Sequence, residues 1–177
     1  MVTETRVPWV VLVYRVPREP SAPRIAIWRR MRALGVAQLG DGIVALPEDA
    51  RTREHLEWLA DQVLEAGGTA LLMRAQTLTR TDEQHLAQSM ATARAEEYES
   101  VRTAAIAART GEAAERRRVL KRLRREMRAA QRRDYFPPAE RDAAHAALAA
   151  LADTTTDDEP VTATAGVTTR TRGGEGS

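Results

Sequence analysis

The stretch from Trp9 to Val16, Trp-Val-Val-Leu-Val-Tyr-Arg-Val, decides the fold, since a run this rich in β-branched residues is typical of a buried strand. Pro17 ends the strand. A helix is predicted to follow, with Ser21 as its cap and Leu34 as its last residue. Gly35 then supplies the stop. The chain therefore begins with a strand followed directly by a helix.

The next segments extend this pattern. Two short apolar runs, 36–39 and 43–46, flank Gly40-Asp41-Gly42 and predict a hairpin with a tight turn. A helix is predicted over 52–66, and a last strand over 70–75. The order strand, helix, strand, strand, helix, strand predicts a ferredoxin-like split βαβ domain over residues 1–80.

Beyond residue 80 the composition favours helices. Thr81-x-x-Gln84 matches a capping box, which predicts a helix up to about Arg109. A basic helix is predicted over 112–133, and a short alanine-rich helix over 139–152. The fold class is therefore α+β, with an all-helical, basic extension over 81–152. Residues 153–177 are rich in Thr, Gly and acids, and we expect a disordered tail there.

The basic helix carries most of the excess positive charge. Residues 112–133 hold ten Lys and Arg against three acids, whereas the whole chain has a net charge of only +2. Such a concentration favours a polyanionic partner, with DNA as the first candidate. The alternative is a solvated helix whose arginines pair with glutamates of the preceding helix. The candidate DNA contacts are Arg116, Arg117, Lys121, Arg124, Arg125 and Arg128, with Arg24, Arg29 and Arg30 of the first helix as a second group.

The apolar positions of the basic helix suggest a different class of function. Leu120, Leu123, Met127 and Ala130 repeat at intervals of three and four residues and form a narrow apolar seam. If exposed, this seam would make the protein a non-catalytic interaction or oligomerisation module. We also expect a homodimer. The pair Tyr135-Phe136 could stack on a base, but packing between helices is favoured.

Several functions are disfavoured by residues that the chain lacks. It contains no cysteine, and its three histidines lie far apart without a metal-ligand spacing. No catalytic constellation, metal site or cofactor site is recognised, so we expect no enzymatic activity. The apolar run 7–13 is too short to span a bilayer, and no signal peptide is evident. We therefore expect a cytoplasmic protein without a membrane partner.

The chain resembles the N-terminal region of the ChrB family of chromate resistance proteins. The motif Pro20-Ser21-x-x-Arg24-x-x-x-Trp28-Arg29-x-Met31-x-x-Leu34-Gly35 carries the first part of the likeness. Leu46-Pro47, Glu57-Trp58-Leu59, Gly67-Gly68-x-Ala70 and Arg132-Arg133-Asp134-Tyr135-Phe136-Pro137 carry the rest. The resemblance implies a chromate-responsive transcriptional regulator encoded with an efflux transporter. Longer members have a further C-terminal domain. An arginine pocket could hold an oxyanion such as chromate, but no residue is assigned to it.

Overall fold

The structure of the protein is a computed structural model that describes residues 7–156. That part of the chain contains four strands and five helices. Two of the helices lie between strands, and the other three follow the last strand. In chain order they are β1 (Trp9–Arg15), α1 (Ser21–Leu34), β2 (Ala37–Gly40), β3 (Ile43–Pro47), α2 (Ala50–Glu65), β4 (Thr69–Ala75), α3 (Arg80–Ala108), α4 (Ala113–Gln131) and α5 (Glu140–Thr156).

The four strands form one antiparallel sheet in the order β2-β3-β1-β4. α1 connects β1 to β2 and α2 connects β3 to β4, so each helix crosses over one intervening strand. The hairpin turn between β2 and β3 needs glycine, because Gly42 has a φ of 74° and its carbonyl accepts a hydrogen bond from the Tyr14 amide (2.7 Å). The α+β class and the predicted order of the first six elements are confirmed.

The strand β1 is buried on both faces of the sheet. Residues opposite each other in an antiparallel pair share a face, so Leu12 points with Val44 and Leu72 toward one side. Trp9 points to the other side, where its ring lies 6.0 Å from the ring of Phe136, between centroids. The aromatic pair after the basic helix is therefore used for packing, as expected, but Phe136 packs against the strand β1 and not between two helices as predicted.

The helices α3, α4 and α5 form a second core that is separate from the sheet core. Tyr98, Leu123 and Leu151 are fully buried there. The four seam residues of α4 are all buried in this core, at 1–6% exposure. The seam is therefore occupied inside the chain, and the alternative function that depended on its exposure loses its support.

The predicted helix caps were wrong in two places. Pro20, not Ser21, is the N-cap of α1, and no side chain caps that helix. At α3 the cap is Thr79 rather than Thr81, because the Thr79 hydroxyl accepts the Asp82 amide (3.1 Å) and bonds the Asp82 carboxylate. The cap at Thr79 therefore replaces the capping box that was predicted at Thr81.

The boundary of the expected tail also moves. Residues 153–156 continue α5, and the hydroxyls of Thr154 and Thr155 donate to the Leu151 carbonyl (2.9 and 2.8 Å). Threonine hydroxyls that bond a carbonyl one turn back can be accommodated within a helix, so the threonine-rich composition did not mark its end. The remainder of the expected disordered tail, 157–177, lies outside the described residues.

Candidate nucleic-acid interface

Five basic side chains line one exposed face of α4, beside its buried seam. Their spacing along a 3.6-residue turn places them within about a third of the helix circumference. All five are exposed, and within residues 7–156 none forms an ion pair. We call this surface the α4 stripe, and its members are Arg117, Lys121, Arg124, Arg125 and Arg128.

The other arginines of α4 differ in having partners. Arg118 pairs with Glu115 at 3.0 Å, and Arg122 pairs with Glu126 at 3.6 Å. Arg116 lies on the seam side, and its Nη1 donates to the Gly111 carbonyl at the start of the helix. Arg116 was predicted as a DNA contact, but the structure gives it a place in the turn between α3 and α4, away from the stripe.

The arginines of α1 lie on a helix that packs against the sheet and not on the helix that carries the stripe. Arg24 and Arg29 are exposed, whereas the guanidinium of Arg30 lies 5.8 Å from the ring centroid of Trp58. α1 packs into the sheet core and α4 into the helical core. The predicted DNA contacts are therefore divided between two helices that pack into different cores.

The glutamates expected to neutralise the basic helix mostly bind other residues. Glu99 accepts two hydrogen bonds from Arg102 at 2.7 Å, and these bonds lower the pKa of the Glu99 carboxyl. Glu97 binds Arg94 at 3.0 Å and Arg133 at 2.8 Å. No glutamate of α3 binds a stripe residue among the described residues. The stripe thus keeps its net positive charge.

A buried polar cluster joins the end of α4 to α3. The hydroxyl of Tyr98 donates to Asp134 Oδ2 at 2.8 Å, and burial is the main cause that raises the pKa of Tyr98. The hydroxyl of Tyr135 donates to the Leu34 carbonyl at 3.2 Å, which ties the same loop to the end of α1. This loop orients α4 relative to the sheet.

Arg94 is a residue of interest that the sequence reasoning missed. It is only 7% exposed, and burial is the main cause that lowers its pKa. The sequence did contain an indication, since Arg94 lies at helical spacing between Met90 and Tyr98, in the row of α3 that is buried. A charged residue in an apolar row needs a partner or a function.

Two further features concern metals and membranes. Among residues 7–156, no group of three or more His, Asp or Glu side chains is placed to hold a metal ion. In the same part of the chain, no helix combines the length and the apolar character needed to cross a bilayer.

Comparison with known proteins gives two matches. A family model described as "Protein ChrB, N-terminal" matches residues 24–163. Protein ChrB of Cupriavidus metallidurans is 31% identical over 134 residues, which cover 73% of this chain and 40% of that protein. The chain thus spans about two fifths of the length of this relative. No solved structure matches the chain.

Proposed function

Because the chain belongs to the family of ChrB N-terminal regions, we propose that it binds DNA through the α4 stripe, as a non-enzymatic regulator or accessory protein of chromate resistance. The observation that carries this proposal is the row of exposed, unpaired cations on one face of α4. Membership of the family supports a role in chromate resistance, and the exposed cations of the stripe support binding to DNA phosphates.

The dimensions of the stripe suit contacts to a phosphate backbone. From Arg117 to Arg128 the helix rises about 16 Å, at 1.5 Å per residue. Double-stranded DNA carries one negative charge per ~1.7 Å along its axis, so several phosphates lie within that length. Arginine forms bidentate bonds to phosphate, and four of the five stripe residues are arginine.

An electrophoretic mobility shift tests this proposal. The DNA is the upstream region of the chain's own operon, and a shuffled duplex of equal length measures non-specific binding. We expect a shift at low salt that is weakened when Arg117, Lys121, Arg124 and Arg128 are changed to Gln. No shift at low salt, or an equal shift with the quadruple variant, would overturn the proposal. Equal affinity for the shuffled duplex would overturn the regulatory part of it.

The link to chromate resistance has its own test. A chromate transporter gene next to this one would support the setting, and loss of this gene should change the chromate tolerance of the host. Expression of the transporter should change in the same strain. If chromate tolerance and transporter expression are both unchanged, the proposed role in chromate resistance is contradicted, whatever the affinity of the chain for DNA.

Residues 9–75 also support a finer fold assignment. We propose that they form a ferredoxin-like domain, because a β-α-β-β-α-β chain with each helix crossing one antiparallel strand has that split βαβ arrangement. An experimental structure with another strand order would contradict this assignment.

A homodimer is part of the proposal, and β4 is its candidate contact. β4 lies at an edge of the sheet, with Leu71 57% and Met73 41% exposed on one face. Light scattering after size exclusion should give twice the monomer mass, and the variant with Leu71→Gln and Met73→Gln should give the monomer mass. If the wild type is monomeric at the concentrations that shift DNA, the proposed homodimer is contradicted.

A further inference from the structure

A cleft of about 390 Å³ lies where α1 passes the end of β1 and the turn between β2 and β3. Two residues of its lining, Ile27 and Met31, are buried in the sheet core and supply apolar surface to the cleft. The volume lies within the range of small-ligand pockets, which are mostly apolar with a few polar groups. A pocket of this size accepts one small ring system rather than a double helix.

The turn on one side of the cleft is fixed to β1. The Gly42 carbonyl accepts the Tyr14 amide at 2.7 Å, and a Cβ on Gly42 would clash with the Tyr14 carbonyl. Tyr14 also lines the cleft. Burial and, to a smaller extent, the Asp41 carboxylate raise the pKa of Tyr14, so its hydroxyl remains a hydrogen-bond donor at neutral pH.

Trp28 lies at the exposed side of the cleft, with 54% of its surface accessible. An exposed tryptophan alone needs no explanation, but this one lines a cleft and belongs to a row of cations. Arg24 precedes it by four residues and Arg32 follows it by four, so the three side chains share one face of α1. The guanidinium of Arg32 lies 5.0 Å from the Trp28 ring centroid.

The charges of the lining favour a ligand with a negative backbone. Arg15 and Arg24 are exposed, and within residues 7–156 neither forms an ion pair. Asp41 is the one carboxylate among the described lining residues, so two arginines and one acid leave a net charge of +1. An aromatic side chain beside such cations suits a planar ring attached to a negative chain, which is the chemistry of a nucleic-acid strand.

We propose that this cleft binds an unpaired nucleobase of single-stranded DNA, stacked on Trp28 with Arg15 and Arg24 beside its backbone. The bases of a duplex stack on one another, so only an unpaired base offers a free ring face. Such a base also presents N–H groups on its pairing edge, from which Asp41 can accept a hydrogen bond. The inference rests on the proposed DNA binding, to which it adds a contact that the α4 stripe does not make.

Fluorescence anisotropy of the full chain with a short labelled oligothymidylate at low salt tests the inference. The reference is a strand of equal length that lacks bases, because it carries the same phosphates. We expect the wild type to bind the oligothymidylate at least ~5-fold more tightly, and Trp28→Ala to bind the two strands equally. Trp58→Ala is the matched control and should keep the preference, since Trp58 is 55% exposed and lies 5.8 Å from the Arg30 guanidinium, but outside the cleft.

The outcomes separate this inference from the proposed function. Equal affinity of the wild type for the two strands, or a preference that Trp28→Ala leaves unchanged, would overturn the base site. Circular dichroism checks each variant, and if Trp28→Ala fails to fold, Trp28→Leu decides the result because it keeps apolar volume without the ring. A normal duplex shift together with equal strand affinities refutes the base site alone, whereas loss of both duplex and strand binding in the wild type refutes DNA binding itself.

Discussion

Replacing Tyr98 by Phe removes one hydroxyl group and leaves a buried carboxylate without its short hydrogen bond. Tyr98 is fully buried, and its hydroxyl lies 2.8 Å from Asp134 Oδ2. The Asp134 side chain is only 3% exposed, and its Oδ1 has no partner in the described part of the chain. Arg141 lies 3.9 Å from Oδ2, too far for a strong bond.

The expected magnitude follows from the charge of the acceptor. Hydrogen bonds to charged groups contribute about 1.5–3 kcal/mol, and neutral ones about 0.5–1.5 kcal/mol. We therefore expect Tyr98→Phe to lower the free energy of unfolding by about 1.5–3 kcal/mol. Tyr135→Phe is the matched control, because its hydroxyl donates to the neutral Leu34 carbonyl at 3.2 Å. It should cost no more than about 1.5 kcal/mol.

Urea unfolding followed by far-ultraviolet circular dichroism measures both variants. The double variant Tyr98→Phe with Asp134→Asn should recover part of the loss, since a neutral amide costs less to bury than an unpaired carboxylate. The reasoning fails if Tyr98→Phe costs no more than Tyr135→Phe. It also fails if the double variant is less stable than the sum of the two single changes predicts.

Three further predictions concern stability. Asp49→Ala should cost about 1 kcal/mol in urea unfolding, because the Asp49 side chain caps α2 through the Thr52 amide. Leu123→Ala should cost about 3–5 kcal/mol by the same assay, since Leu123 is buried at 1% exposure in the helical core; a smaller loss would mean a looser core. The bond from Arg74 lowers the pKa of Glu48, so this carboxylate stabilises the fold above its ordinary pKa, and the contribution is lost as the pH falls through the lowered value. Glu48→Gln should therefore flatten the decline of the urea midpoint between neutral and acid pH, and an unchanged decline would contradict this.

Much of the sheet region was predictable because its signals are local. The β-branched run, the hairpin glycines and the stop at Gly35 each act within a few residues, and these elements formed close to the predicted bounds. The caps at Pro20 and Thr79 were missed because neighbouring residues compete for the same helix start. Which residue becomes the N-cap depends on backbone geometry that cannot be read from the sequence.

The candidate sites were less predictable because they depend on tertiary contacts. Arg116 is an exception, because it lies four residues before Leu120, and this spacing already places it on the seam side, where its Nη1 donates to the nearby Gly111 carbonyl. Arg133 contacts a segment about a hundred residues earlier in the chain, through its bond to the Arg32 carbonyl. Spacing along a single helix cannot reveal such a meeting.

The salt dependence of DNA binding tests the central claim most directly. Two double variants remove the same charge from the same helix: Arg124→Gln with Arg128→Gln in the stripe, and Arg118→Gln with Arg122→Gln among the ion-paired arginines. Each phosphate contact contributes about 0.9 to the slope of log affinity against log salt, so the stripe variant should reduce that slope by about 1.8. The paired variant should leave it nearly unchanged. Equal slopes for both variants and the wild type would contradict the assignment of the α4 stripe as the DNA-binding surface.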